Sequence, residues 1–294
     1  MRGMLERLVR GVLVATLLVV GGGGLSGCGL NLVTTSHEIS MGNQFAPQFL
    51  SEGGGEIPDE EVLSYVREIG QKLLAVVPSA ESRELPWEFH VLNSDVLNAF
   101  ALPGGKVFIS RGLMVRLSNE AELAAVLGHE IGHVNHEHIG KQMTHSAIQS
   151  GVINAAVGVA GQMSDSQWIQ VLGAGAQTGG QLYLLRFGRT QELEADDEGL
   201  RLMVLAGYDP AGMVGVLEVL RDAAGGGSSG LFDEILSTHP DPGRRVGDAE
   251  AAIRERYGAT QGNGRYVLNA AAYERRALAP IGRLGPAADA GGGG

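Results

Sequence analysis

The feature that most constrains this chain is Gly128-His129-Glu130-Ile131-Gly132-His133, two histidines four residues apart with a glutamate between them. On an α-helix, positions four apart differ by about 40° in direction and about 6 Å in rise, so both imidazoles reach one metal ion from the same side. Glu130 lies about 100° round from His129, outside the pair yet close enough to exchange a proton with water beside the metal. The pattern demands a helix here and a third ligand from elsewhere, and its chemistry is that of metal-assisted hydrolysis. A surface helix with satisfied histidines is the plain alternative, and the apolar lead-in from Leu123 to Leu127 argues against it. A non-haem iron triad uses similar ligands but gives Glu130 no task.

Asn119 is placed to accept from backbone N–H groups at the start of this helix, with Glu122 three residues later as in a capping box, so the helix is predicted from about Asn119 to Ile139. His136 stands about 10 Å along the axis from His129, too far for three helical imidazoles to share one tetrahedral ion. The longer zinc pattern, with a histidine ten positions after the first, meets Ile139 instead. His136, His138 and His145 therefore read as solvated groups or as supports behind the ligands. A third ligand is sought in Arg189-Thr190-Gln191-Glu192-Leu193-Glu194-Ala195-Asp196. Glu192 and Asp196 share a helix face, whereas Glu194 points about 200° away from Glu192. One carboxylate there can bind metal while its neighbour orients a histidine through the second ring nitrogen.

The rest of the chain supplies a frame. With 294 residues, 44% of them hydrophobic, it can bury one large core. Asp59 caps a helix with apolar positions Val62, Val66, Ile69, Leu73 and Leu74, and strand-like pieces follow at 87–92 and 106–110 with Asn98-Ala99-Phe100-Ala101 between them. Leu102-Pro103-Gly104-Gly105 is the turn joining the last two. Asn98 to Ala101 reads as an exposed strand that an extended polypeptide could join by β-addition. Residues 146–163 are rich in Ala, Gly and Val, but Gln149, Asn154 and Gln162 favour a close-packed helix over a membrane span. Further helices are expected from Arg189 to Leu205 and after Asp209-Pro210. The class is α+β, mainly helical, with a small sheet beside the metal-binding helix. There are 33 acidic against 22 basic residues and only 5% aromatics, which excludes a nucleic-acid role.

Residues 1–28 read as a leader, with Arg2, Arg7 and Arg10, an apolar run from Val12 to Val20, then Leu25-Ser26-Gly27-Cys28. The run is short for a bilayer span. Its end resembles a bacterial lipobox, which implies cleavage before Cys28, the one cysteine of the chain, and a lipid anchor there. Gly29 follows where an inner-membrane retention signal would resemble Asp, so the expected site is the outer membrane, facing the periplasm. Residues 29–58 are then a linker and extension, 59–283 the zinc metallopeptidase domain, and 284–294 a Gly/Ala-rich tail without order.

His129-Glu130-x-x-His133, then Arg189 and Glu192-x-Glu194-Ala195-Asp196, together with Asn98 to Gly105 and Thr238-His239-Pro240, resemble the HtpX and CAAX-prenyl-protease family of zinc metallopeptidases. The likeness is to its soluble periplasmic lipoprotein members of the BepA and LoiP type, over roughly residues 38–257. It implies a gluzincin-type core with one zinc ion held by His129, His133 and Glu192, Asp196 behind them, and Glu194 or Glu198 as fallback ligands. It implies Glu130 as proton carrier and His239 as the group facing the oxyanion, supported by Arg245. In the BepA type the corresponding histidine can instead fill the open position on zinc and silence the enzyme. The implied substrates are unfolded or misassembled envelope polypeptides, with outer-membrane assembly machinery as a partner. An envelope chaperone with a structural zinc is the alternative. Two departures stand out: Glu137-His138 replaces the family's frequent Arg-His, and the transmembrane helices of polytopic members and the tetratricopeptide tail of the BepA type are missing.

Overall fold

The computed structural model describes residues 29–149, 164–172, 186–225 and 233–287. The leader with Cys28, most of the segment 146–163 and most of the terminal tail lie outside the described residues.

Helix α1 (Thr35–Glu52) occupies much of the stretch expected to be a linker. Met41, Phe45 and Phe49 recur at four-residue spacing on its buried face and pack with Phe100 and Phe108. Gly42 and Pro47 conceal that periodicity in the sequence. Gly42 is needed for contact, because a Cβ there would lie 2.2 Å from the carbonyl oxygen of Pro103. Helix α2 (Glu60–Leu74) starts as predicted, with the Asp59 carboxylate accepting from the Val62 N–H at 3.1 Å, and it buries Val62, Val66, Ile69, Leu73 and Leu74.

Three strands follow: β1 (Glu88–Leu92), β2 (Ala99–Leu102) and β3 (Lys106–Ser110), in the order β1-β3-β2. β3 runs parallel to β1 and antiparallel to β2, with Phe100 opposite Phe108. The turn between β2 and β3 uses Gly104 and Gly105 at φ 74° and 89°, which any other residue would adopt only under strain. β2 is thus an edge strand. Its side chains are not exposed as expected: Asn98, Ala99 and Phe100 are buried and Ala101 is half-buried, because the strand is pressed between α1 and the metal-site helix.

That helix, α3 (Glu120–Asn135), begins with the Asn119 side chain accepting from the Glu122 N–H at 3.0 Å, while the Glu122 carboxylate accepts from Ser118 N–H at 2.6 Å. It stops earlier than predicted. His136 ends it, Glu137 takes a left-handed φ of 54°, and α4 (His138–Gln149) sets off in a new direction. The remaining longer helices are α5 (Asp165–Leu172), α6 (Arg189–Leu205), α7 (Ala211–Gly225), α8 (Asp233–Thr238) and α9 (Pro242–Arg256). One hydrophobic cluster joins α2, β1, β3, α3, α6, α7 and α9, and a second joins α1 to Phe100, Phe108, Met143, Trp168 and Phe187. The fold is α+β and mainly helical, as the sequence implies. Among the described residues no helix is long and apolar enough to cross a membrane.

Candidate metal centre

Two helices set the site, and small residues let them meet. Gly128 and Gly132 on α3 face Ala195 and Gly199 on α6: a Cβ on Gly132 would come 2.9 Å from the Ala195 carbonyl oxygen, and one on Gly128 3.2 Å from Gly199 Cα. At that separation, neighbouring side chains on the two helices converge across the contact. His129 and His133 meet Glu192 and Asp196, all four buried. Ligand atoms of His129, His133, Glu192 and His239 all lie within 4.8 Å of one another.

Hydrogen bonds behind the rings decide where their lone pairs point. His129 Nδ1 is 2.9 Å from Asp196 Oδ1; an ionised carboxylate only accepts, so Nδ1 carries the proton and Nε2 the lone pair. His138 Nε2 is 3.0 Å from Glu194 Oε2 and its Nδ1 is 2.9 Å from His133 Nδ1. Donation from Nε2 to Glu194 leaves His138 Nδ1 to accept from His133 Nδ1–H, which places the lone pair of His133 on Nε2. The two Nε2 atoms then confront each other at 3.0 Å, with Glu192 oxygens 3.4 and 3.6 Å away. Two lone pairs and a carboxylate aimed at one point fit a metal cation. His138, read from sequence as solvated or supporting, is the buried support of His133.

Electrostatics agree with this assignment. Burial pushes the His133 pKa well below its ordinary value, which keeps the ring neutral. Burial alone would raise Glu192 and Asp196, but charged neighbours outweigh it: His239 and Arg245 hold Glu192 well below the carboxylate range, and Arg245 brings Asp196 down to about 2. Glu130, buried beside them, is shifted upward by desolvation. Phe187 stacks on His133 with centroids 3.9 Å apart and shields the site. Neither Phe187 nor the α3–α6 glycines stood out in the sequence; the four-residue spacing of Gly128 with Gly132 and of Ala195 with Gly199 was the available signal.

Other expected residues fall in different places. Arg245 does not stand free for an oxyanion: Nε and Nη2 donate to Asp196 at 2.7 and 2.6 Å, and Nη1 donates to Glu192. His239 sits within the ligand group, its Nδ1 3.2 Å from His129 Nε2 and 3.1 Å from Glu192 Oε1, while its Nε2 is buried 3.7 Å from Glu130 Oε1. Glu194 pairs with His138, and Glu198 with Arg201 and Asn135, so neither fallback ligand joins the group. Ala99, but not the rest of the expected substrate strand, lines a small apolar pocket with Val216, Leu220, Glu130 and His239.

The profile of peptidase family M48 matches residues 64–253. The chain belongs to that family. Among M48 relatives, the beta-barrel assembly-enhancing protease of Yersinia pestis is 32% identical over 74% of this chain and 44% of its own length. The mitochondrial metalloendopeptidase OMA1 of Schizosaccharomyces pombe is 31% identical over 76% and 64%. Metalloprotease LoiP of Escherichia coli is 34% identical over 55% and 60%. The chain thus spans less than half the length of the beta-barrel assembly-enhancing proteases it matches. M48 membership implies a metal, and the His129, His133, Glu192 and His239 cluster is where donors of the right kind converge.

Proposed function

We propose that this M48 chain is a zinc-dependent endopeptidase acting on unfolded or misassembled polypeptides of the cell envelope. The observation that carries the reading is the pair of Nε2 atoms facing each other at 3.0 Å beside Glu192, with Glu130 buried next to them. His129, His133 and Glu192 would hold the ion. Zinc there would supply Lewis acidity toward water and the scissile carbonyl. Glu130 accepts the proton of the attacking water and delivers it to the departing amine, and burial, by raising its pKa, suits it to both steps. Asp196 holds the His129 ring in its tautomer, and Arg245 keeps Asp196 and Glu192 ionised. An extended substrate would pair with β2 along its outer edge and bring one side chain to the pocket beside Glu130.

The envelope setting rests on the lipobox-like Leu25 to Cys28, which would tether the chain to the outer membrane on its periplasmic side, and on relatives named for enhancing β-barrel assembly. Those relatives make the outer-membrane assembly machinery the favoured partner. The test is cleavage of an unstructured casein-like polypeptide by wild type and Glu130→Gln, with chelator and with zinc restored. The variant should keep its metal and lose about 10²–10⁴-fold in rate; full activity in Glu130→Gln refutes the reading.

A second reading draws on His239. With Nδ1 inside the ligand group, four protein side chains surround the site, which is the closed pattern of a structural or silenced zinc. His239 would then be a latch over the open position, or the chain an envelope chaperone. His239→Ala separates them: a latch gives a faster protease, a structural ligand gives a less stable protein and no cleavage.

A further inference from the structure

Three side chains stand together just outside this centre: His136 at the end of α3, His138 at the start of α4 and Glu194 on α6. One donor atom from each lies within 4.8 Å of the others. Their setting differs from that of the inner group. His136 is half-exposed, Glu194 is exposed, and both line a surface cleft, so an ion can enter from solvent. Two neighbouring acids on that cleft are already paired, Asp197 with Arg256 and Glu198 with Arg201. Glu194 has no Lys or Arg partner among the described residues; its contact is His138 Nε2 at 3.0 Å. The rings of His136 and His138 stack with centroids 5.4 Å apart, and the left-handed Glu137 between them is the turn that brings them side by side.

We propose that His136, His138 and Glu194 form a second divalent-cation site, weaker than the first, whose filling opposes metal binding at His133. Two imidazole nitrogens and one carboxylate suit zinc, nickel or copper rather than magnesium or calcium. The opposition follows from proton placement. A cation on His138 Nε2 needs the lone pair there, so the single proton of that neutral ring moves to Nδ1, which faces His133 Nδ1–H at 2.9 Å. Two N–H groups cannot share that contact. Either His133 shifts its own proton to Nε2, losing the lone pair it directs inward, or the two rings part and His133 loses its support. No proton is gained or lost overall, and the effect is reciprocal: emptying the inner site strengthens the outer one.

Binding at the outer site does not depend on the peptidase reading, whereas inhibition by that binding rests on it. The experiment uses the full chain, stripped with chelator and titrated with zinc under equilibrium dialysis, alongside cleavage of the unstructured polypeptide. Wild type should bind two equivalents, the second at least about tenfold more weakly, and lose activity as the second fills. His136→Ala should bind one equivalent and stay active in the same zinc excess, and Glu194→Gln should likewise bind only one equivalent. His133→Ala should keep the outer equivalent and bind it more tightly than wild type. A second equivalent that survives in both His136→Ala and Glu194→Gln, or a wild type that binds only one, overturns the proposal. If no variant or wild type cleaves anything yet His136→Ala still removes one equivalent, the site stands and the peptidase reading falls.

Discussion

The inner and outer histidine groups use the same side-chain types, and they differ in what stands behind the donors. In the inner group each ring is turned by a partner on its far side, His129 by Asp196 and His133 by His138, and Asp196 is itself clamped by Arg245. In the outer group His136 is half-exposed and Glu194 is exposed, so only His138 is fixed in place. The lesson is that donor chemistry alone does not make a strong metal site. Preorganised lone pairs, with the entropy and desolvation already spent in folding, separate a resident ion from a transient one.

That contrast can be broken most forcefully at a ligand. His133→Ala removes an inner donor and leaves His138 behind it, and should lower the rate of polypeptide cleavage by at least about 10³-fold with loss of tightly held zinc; retained metal and activity would erase the distinction between the groups. Removing charge compensation comes next. Arg245→Met leaves Glu192 and Asp196 buried without their cation, which should cost about 3–5 kcal/mol in urea unfolding of the metal-free protein. The same variant loaded with zinc should lose less, since the ion restores positive charge beside Glu192.

Asp196→Asn sharpens the comparison further. It still occupies the space behind His129 but no longer demands a proton on Nδ1, so zinc affinity should fall about 10–100-fold, measured by chelator competition. A comparable effect concerns an acid near the outer group that lacks a cation. Glu38 on α1 is buried, and desolvation together with repulsion from Glu137 raises its pKa to about 7, against a weaker opposing hydrogen bond from Asn31. Because the folded value exceeds the unfolded one, the stability is fully present below about pH 4.5 and is lost as pH rises through about 7. Glu38→Gln should therefore raise stability by about 2 kcal/mol at pH 8 and leave it unchanged at pH 4, read from paired thermal melts.

Much of this centre was legible before any coordinates. The spacing of His129 and His133, the Asn119 and Asp59 caps and the helix from Arg189 each rest on short-range rules that act within one or two turns. What escaped depended on contacts between distant segments. The face of Met41, Phe45 and Phe49 is interrupted by Gly42 and Pro47, and only the closeness of the β2–β3 turn explains the glycine. Continuing α3 to Ile139 was the natural reading of an uninterrupted polar helix. The observed break at Glu137 instead returns His138 to His133, a contact no periodicity predicts. Arg245 was expected as a support for His239, and its engagement with two buried carboxylates reflects their need for a counter-charge.

The central claim is that His129, His133 and Glu192 grip a single zinc ion. X-ray absorption at the zinc edge, on protein carrying one equivalent, tests it directly. The account predicts a shell of about four nitrogen and oxygen neighbours at about 2.0–2.1 Å with imidazole scattering, and, with the outer group removed by His136→Ala, the loss of one imidazole when His133→Ala is added. A six-oxygen shell, or a spectrum unchanged in that variant, would contradict it.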